Sequence, residues 1–250
     1  MFPLRDNIPT EHFPVVTVAL IVANVLMYFF FQHGTITLGS PDNTAYLCNL
    51  YEYGTIPKEV TDPGFNLQVQ GCSTFDAPTW LTLFTSMFMH GGLLHLGGNM
   101  LFLWIFGNNV EDSMGPVKFL IFYVLGGLAA DAGQILVSTG SQVPSIGASG
   151  AVAAVLGGYL LLFPRARVVT VIILIFFFTI LEIRAIFFLI IWIGQQAIFG
   201  YLDLVQPAGE GGGVAYFAHI GGFVFGLAAI RLFASERRRR RQLERAGMPR

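Results

Sequence analysis

The sequence predicts an all-α polytopic membrane protein, and three observations carry that prediction. Hydrophobic residues fill 54% of the 250 positions and charged residues only 12%, against about 25% charged in an ordinary soluble domain. Mean hydropathy is +0.64. Several apolar runs approach the roughly 20 residues that a helix needs to cross a bilayer. The formal net charge of −1 says little, because the charges are segregated along the chain.

Residues 1–12 read as a cytoplasmic N-terminus. The first apolar run, within 13–33, is too long for the core of a signal peptide and has no A-x-A-like site after it, so it reads as an anchor that stays. Further spans are expected at 84–108, 117–138, 147–163 and 215–234. Between 167 and 203 two apolar pieces compete. The first, 168–180, is β-branched and aromatic and as a helix would reach only about 20 Å, short of the roughly 30 Å hydrocarbon layer. It is expected as a short interfacial or strand-like segment. The second, 184–202, is long enough, which makes six crossings.

Charge favours six over seven. Every basic residue except Lys58, including the run 237–241, then falls on one side, the positive-inside pattern with both termini cytoplasmic. The membrane domain is expected to cover 13–234, with 235–250 a solvated basic tail able to meet anionic headgroups. No aromatic residues interleave its arginines, so a nucleic-acid partner is not expected. The long loop 34–78 is external and acidic, with Asp42, Glu52, Glu59, Asp62 and Asp76 against Lys58. Cys48 and Cys72 share this oxidising side, where a disulfide is allowed; their separation in sequence does not establish one.

Polar side chains inside spans are costly and therefore functional candidates. His95 and Asn99, four apart in "HGGLLHLGGN", share a helix face, and His90 lies at or just before that helix start. Ser149 opens the next-but-one span in "GASG", and His219 opens the last in "AHIGGFVFG". Each of these helices is entered from outside, so the polar groups meet in one layer. A serine needs a base, which histidine supplies near neutral pH. An oxyanion needs donors, which His95, Asn99 and the free N–H groups of the Ser149 helix supply. Gly147 and Gly150 permit close backbone approach, and Gly222 and Gly226 form a GxxxG that lets helices pack tightly.

Each residue also has a bland reading. Ser149 suits a helix start, His219 a satisfied bundle histidine, and His95 with Asn99 an interhelical hydrogen bond. Their shared depth favours a site. Three histidines suggest a zinc centre, but there is no H-E-x-x-H and no carboxylate beside them, so no metal is expected. The paired halves of a transporter are absent from the sequence. Asp131 reads as a hydrogen-bonded bundle residue, and Glu182 with Arg184 as an interfacial pair.

Together, "HGGLLHLGGN", "GASG" and "AHIGGFVFG" resemble the three signatures of rhomboid intramembrane serine proteases: H-x-x-x-x-H-x-x-x-N, G-x-S-G and A-H-x-x-G-x-x-x-G. The resemblance spans roughly 13–234. It implies a six-transmembrane-helix rhomboid-like bundle with a long external first loop, no cofactor, and transmembrane proteins in the lipid bilayer as substrates. It implies Ser149 as nucleophile and His219 as base. His95 and Asn99 then stabilise the oxyanion, His90 supports the site, and Gly147 positions the oxyanion-binding backbone. A prokaryotic plasma membrane, with the site opening outward, is the expected setting. A catalytically silent relative that binds membrane clients is the alternative class. Two departures stand out. Trp80 is followed by Leu81 where the family often has Trp-Arg. Ala153 stands where an aromatic usually stacks under the histidine, which leaves Phe217 or Tyr216 to pack there.

Overall fold

The computed structural model describes residues 2–36, 41, 43–73, 75–174, 177–205 and 213–248. Asp42 and Arg250, which entered the charge argument, lie outside them. A first strand, β1 (Phe2–Asp6), precedes α1 (Val15–Leu26), which continues through a π turn, Met27–Phe31. Pro14, before α1, offers no side-chain cap. The orphan N–H groups are met instead by Glu111, whose carboxylate accepts from Val16 N (3.0 Å), Thr17 N (2.7 Å) and Thr17 Oγ1 (2.7 Å). An anion at a helix N-terminus is favoured by the dipole as well as by the hydrogen bonds.

The first loop is built rather than loose. It holds α2 (Thr44–Tyr53) and the short α3 (Pro57–Thr61), and a disulfide joins Cys48 to Cys72 with Cα atoms 5.5 Å apart. The Asn43 side chain accepts from Tyr46 N at 2.6 Å and so caps α2. Then come α4 (Thr79–Thr85), a 3₁₀ turn at Ser86–Phe88, α5 (Leu93–Phe102), a π turn at Leu103–Gly107, and α6 (Asn108–Met114). Gly115, at φ +91°, turns the chain directly into α7 (Pro116–Val137). Its positive φ suits glycine, and Pro116 is preset for the first helical turn.

After α8 (Ser149–Leu162) come β2 (Arg167–Leu174), β3 (Phe177–Arg184), α9 (Ala185–Val205), α10 (Tyr216–Phe233) and α11 (Glu236–Arg245). By length and composition α7, α9 and α10 are able to cross a membrane, and 15–31 and α8 are shorter apolar helices. Every α8 residue from 150 to 159 is buried. A helix apolar all round belongs in the centre of a bundle, and α8 packs against α7, α10 and α9.

The all-α expectation needs correction. The β-branched run at 168–174 folds as β2, paired antiparallel with β3 on one side and with β1 on the other. Val168 and Thr170 are buried on the sheet's inner face, whereas Phe178, Ile180 and Leu181 of β3 are exposed. The expected Glu182–Arg184 pair is also replaced. Register sets Arg167 opposite Arg184, so Glu182 is its diagonal neighbour, and those two pair at 3.2 Å.

Nor is the basic tail free in solvent. It forms α11, which buries Gln242 and Leu243. Arg241 and Arg245 reach Glu11 at 3.4 and 3.3 Å, and Gln242 Nε2 donates to the Asn109 carbonyl at 3.2 Å. The α6 carbonyls of Asn109 and Asp112 provide acceptors, so this stretch gains more by docking than by hydration. Nearby, Asp6 Oδ2 accepts from Tyr159 and, at 2.7 Å, from Asn109 Nδ2.

Burial pushes the Asp6 carboxyl from 3.8 up to about 7. A folded-state value above the unfolded one means stability that is full at low pH and is lost as pH rises through about 7. The thermal midpoint should therefore fall between about pH 5 and pH 8, and Asp6→Asn should flatten that slope. An unchanged slope in the variant would assign the effect to another group.

Candidate active site

The approach to α8 fixes the site's geometry. Gly147 has φ +115°, a conformation side chains disfavour, and its N–H donates to the Ser86 carbonyl at 2.8 Å. A Cβ there would lie 2.7 Å from the His95 ring and 3.5 Å from Asn99 Nδ2. Glycine thus lets the backbone just before Ser149 lie against α5. Ser149 is half-buried at the first turn of α8.

Small residues bring α10 alongside. A Cβ on Gly222 would overlap the Gly150 carbonyl oxygen, one on Gly226 the Ala154 carbonyl oxygen, and one on Gly157 the Phe223 carbonyl oxygen. The two backbones touch, as small-residue membrane interfaces allow. That closeness places His219 Nε2 2.8 Å from Ser149 Oγ.

The other His219 nitrogen, Nδ1, lies 2.7 Å from Gln196 Oε1 of α9. The Trp192 ring packs on the imidazole with centroids 5.7 Å apart. Trp192 therefore fills the place left by Ala153, rather than Phe217 or Tyr216. Sequence reasoning missed both α9 residues. A signal existed, since a glutamine inside an otherwise apolar span is itself a candidate. Asp131 is buried on α7, hydrogen-bonds the Thr55 side chain, and lines a small void that Ser149, Ser86 and Gly147 also line.

Donors converge from α5. His95 Nδ1 accepts from Gly91 N at 3.2 Å, so a neutral ring carries its proton on Nε2, the nitrogen beside Gly147. Asn99 Nδ2 is buried with no partner among the described residues, which in a native protein signals a donor kept for something else. His90 is fully buried before the helix start. Its N–H donates to Gln32 Oε1 at 2.9 Å, and its carbonyl accepts from Gln32 Nε2 at 2.5 Å and Tyr46 O–H at 2.6 Å. It ties α5's entrance to α1 and α2, and its ring lies 5.2 Å from that of His95.

Ser149, His219, His95, Asn99, Trp192 and Gln196 all line one cavity of about 1010 Å³. Of the sequence-derived residues, Ser149, His219, His95 and Asn99 are therefore brought together at this cavity, whereas His90, Gly147, Gly150, Gly222 and Gly226 lie behind its lining.

The sequence model of the Rhomboid domain matches residues 77–236. The chain is 30% identical over 173 residues to Rhomboid protein 1, mitochondrial, of Saccharomyces cerevisiae, covering 67% of this chain and 46% of that one. It is 32% identical over 96 residues to the presenilin-associated rhomboid-like protein, mitochondrial, of Homo sapiens, covering 38% of this chain and 25% of that one. Against rhomboid protease GluP of Bacillus subtilis it is 40% identical over 81 residues, covering 32% and 15%. The chain thus spans less than half the length of these relatives. With the signature residues gathered in one cavity and most of the chain inside the matched domain, the protein belongs to the rhomboid family.

Proposed function

We propose that this membrane protein is a serine-type intramembrane endopeptidase that cuts transmembrane proteins near the outer face. The observation that carries the reading is the 2.8 Å approach of His219 Nε2 to Ser149 Oγ at the wall of a large cavity. A hydroxyl hydrogen-bonded to an imidazole, with unpaired donors across from it, is the arrangement for acyl transfer.

His219 takes the Ser149 proton as Oγ attacks the scissile carbonyl carbon. The oxygen gathers negative charge and is held by Asn99 Nδ2, His95 Nε2–H and the N–H groups of the first α8 turn. His219 then passes its proton to the leaving amine, and water hydrolyses the acyl-enzyme by the same route reversed. A peptide bond inside a helix is shielded, so the substrate must unwind locally, which favours helix-destabilising residues at the cut. In this reading six helices cross a prokaryotic plasma membrane. Both termini and α11 lie in the cytoplasm, and the cavity and first loop lie outside.

The test is labelling with a serine-reactive fluorophosphonate beside cleavage of a model transmembrane substrate. Wild type should be labelled and should cut; Ser149→Ala should do neither. Labelling that persists in Ser149→Ala rules out the nucleophile. Retention of substrate without turnover by wild type would point to a client-binding protein.

A further inference from the structure

We infer that Gln196 is the positioning residue for the catalytic base. The inference rests on the Ser149–His219 reading above. A histidine that takes a proton at Nε2 must carry its own on Nδ1, and something must hold it there. Gln196 Oε1 lies 2.7 Å from His219 Nδ1, in a buried setting. By accepting from Nδ1–H it leaves the Nε2 lone pair facing Ser149. Without that acceptor the ring is free to take the other tautomer, in which Nε2 holds a hydrogen and Ser149 has nowhere to send its own.

Nothing else in the site fills this role. Among the described residues no carboxylate lines the cavity. Asp131, on α7, is engaged by the Thr55 side chain and lines the small void beside Ser149, not the cavity that His219 lines. Gln196 is neutral, so it supplies orientation and tautomer but does not offset the imidazolium charge, unlike the aspartate of a charged triad.

Its place on α9 fits the positioning role. Trp192, Gln196 and Gly200 recur every four residues and so form one stripe. Trp192 packs on the His219 ring, Gln196 bonds it, and Gly200 lets Tyr216 and Phe217 approach to 3.1 and 3.4 Å of where its Cβ would be. The opposite side of α9 is exposed and apolar at Ile190, Ile191 and Ile198. The same stripe that seats α9 on α10 therefore holds both the stacking ring and the acceptor against the base.

The experiment compares wild type, Gln196→Met, Gln196→Glu and Ser149→Ala. Each is read by kcat and KM on a transmembrane substrate, by fluorophosphonate labelling rate and by thermal midpoint. Gln196→Met keeps the length and removes the acceptor. It should lower kcat and labelling about 10- to 100-fold, part of the about 10²- to 10⁴-fold that a well-placed general base contributes, with KM within about twofold, as expected when only transition-state interactions are lost. Gln196→Glu restores an acceptor of the same shape and should label well above Gln196→Met. The inference is overturned if Gln196→Met labels at the wild-type rate. It is also overturned if both variants are equally slow, because an acceptor of the same shape then fails to rescue. If Ser149→Ala labels, the reading of the whole site fails. If Ser149→Ala is silent while Gln196→Met is unimpaired, only the role of Gln196 does.

Discussion

Ser149→Ala should lower turnover of a transmembrane substrate by about 10⁴-fold or more, His219→Ala should approach the same loss, and the double variant should be little worse than either. The reason is that the two groups act as one. The hydroxyl without the base is a weak nucleophile, and the base without the hydroxyl has nothing to activate. In the structure the pair share one hydrogen bond, His219 Nε2 to Ser149 Oγ at 2.8 Å. Losses that multiplied across the two single variants would mean the residues contribute separately. The folded state should tolerate Ser149→Ala, because Ser149 is half-buried and His219 keeps Gln196 and Trp192. Unchanged melting alongside lost turnover would place the effect in chemistry.

Gly226→Val should also be strongly damaging, by a smaller factor, although it touches no reacting atom. A Cβ at 226 would overlap the Ala154 carbonyl oxygen and crowd Gly158 N at 2.9 Å. The neighbouring atoms are backbone, so no rotamer change relieves the overlap and α10 must move away from α8. Overpacking alone costs about 1–3 kcal/mol. The larger effect is on geometry, since a misplacement of about 1 Å in a catalytic pair loses about 10²-fold in rate. The variant should melt earlier and label slowly with the fluorophosphonate. Gly97→Ala, at a position with open space around it, should melt and label like wild type. Similar behaviour of the two variants would remove the α8–α10 contact from the explanation.

The sequence made some of this visible and hid the rest for physical reasons. Span positions follow from apolar length, and the structure places helices close to each expected run. The convergence of Ser149, His219, His95 and Asn99 was readable because each is a polar residue at the start of an apolar helix. The interhelical contact was readable because glycines at 222 and 226 have little other use on one face. Gln196 was not readable from position alone. Its role depends on the rotation of α9 about its axis, which the exposed apolar residues on most of that helix do not fix. Trp192 was hidden likewise, and the expectation for the ring beside His219 went to the adjacent residues of α10. The β1–β2 pairing was hidden because Asp6 and Val168 are far apart in sequence, and a lone five-residue segment carries no partner information. The docking of α11 was hidden because arginine runs usually stay hydrated. Here Glu11 and carbonyls of α6 and α8 give them partners.

The position of β1 has a consequence for the order of assembly. Phe2 and Asp6 pair with Val171 and Val168, and the Glu11 carboxylate waits for Arg241 and Arg245. Synthesis delivers residues 2–11 well before their partners at 168–171 and 241–245. The leading segment must therefore remain unpaired while most of the membrane helices are threaded, and it closes only after the hairpin and α11 have emerged. Long-range closure of this kind is slow. Residues 2–11 are thus among the last to be fixed although they precede every helix they help to join, and their pairing ties β1 and Glu11 to segments more than 150 residues away.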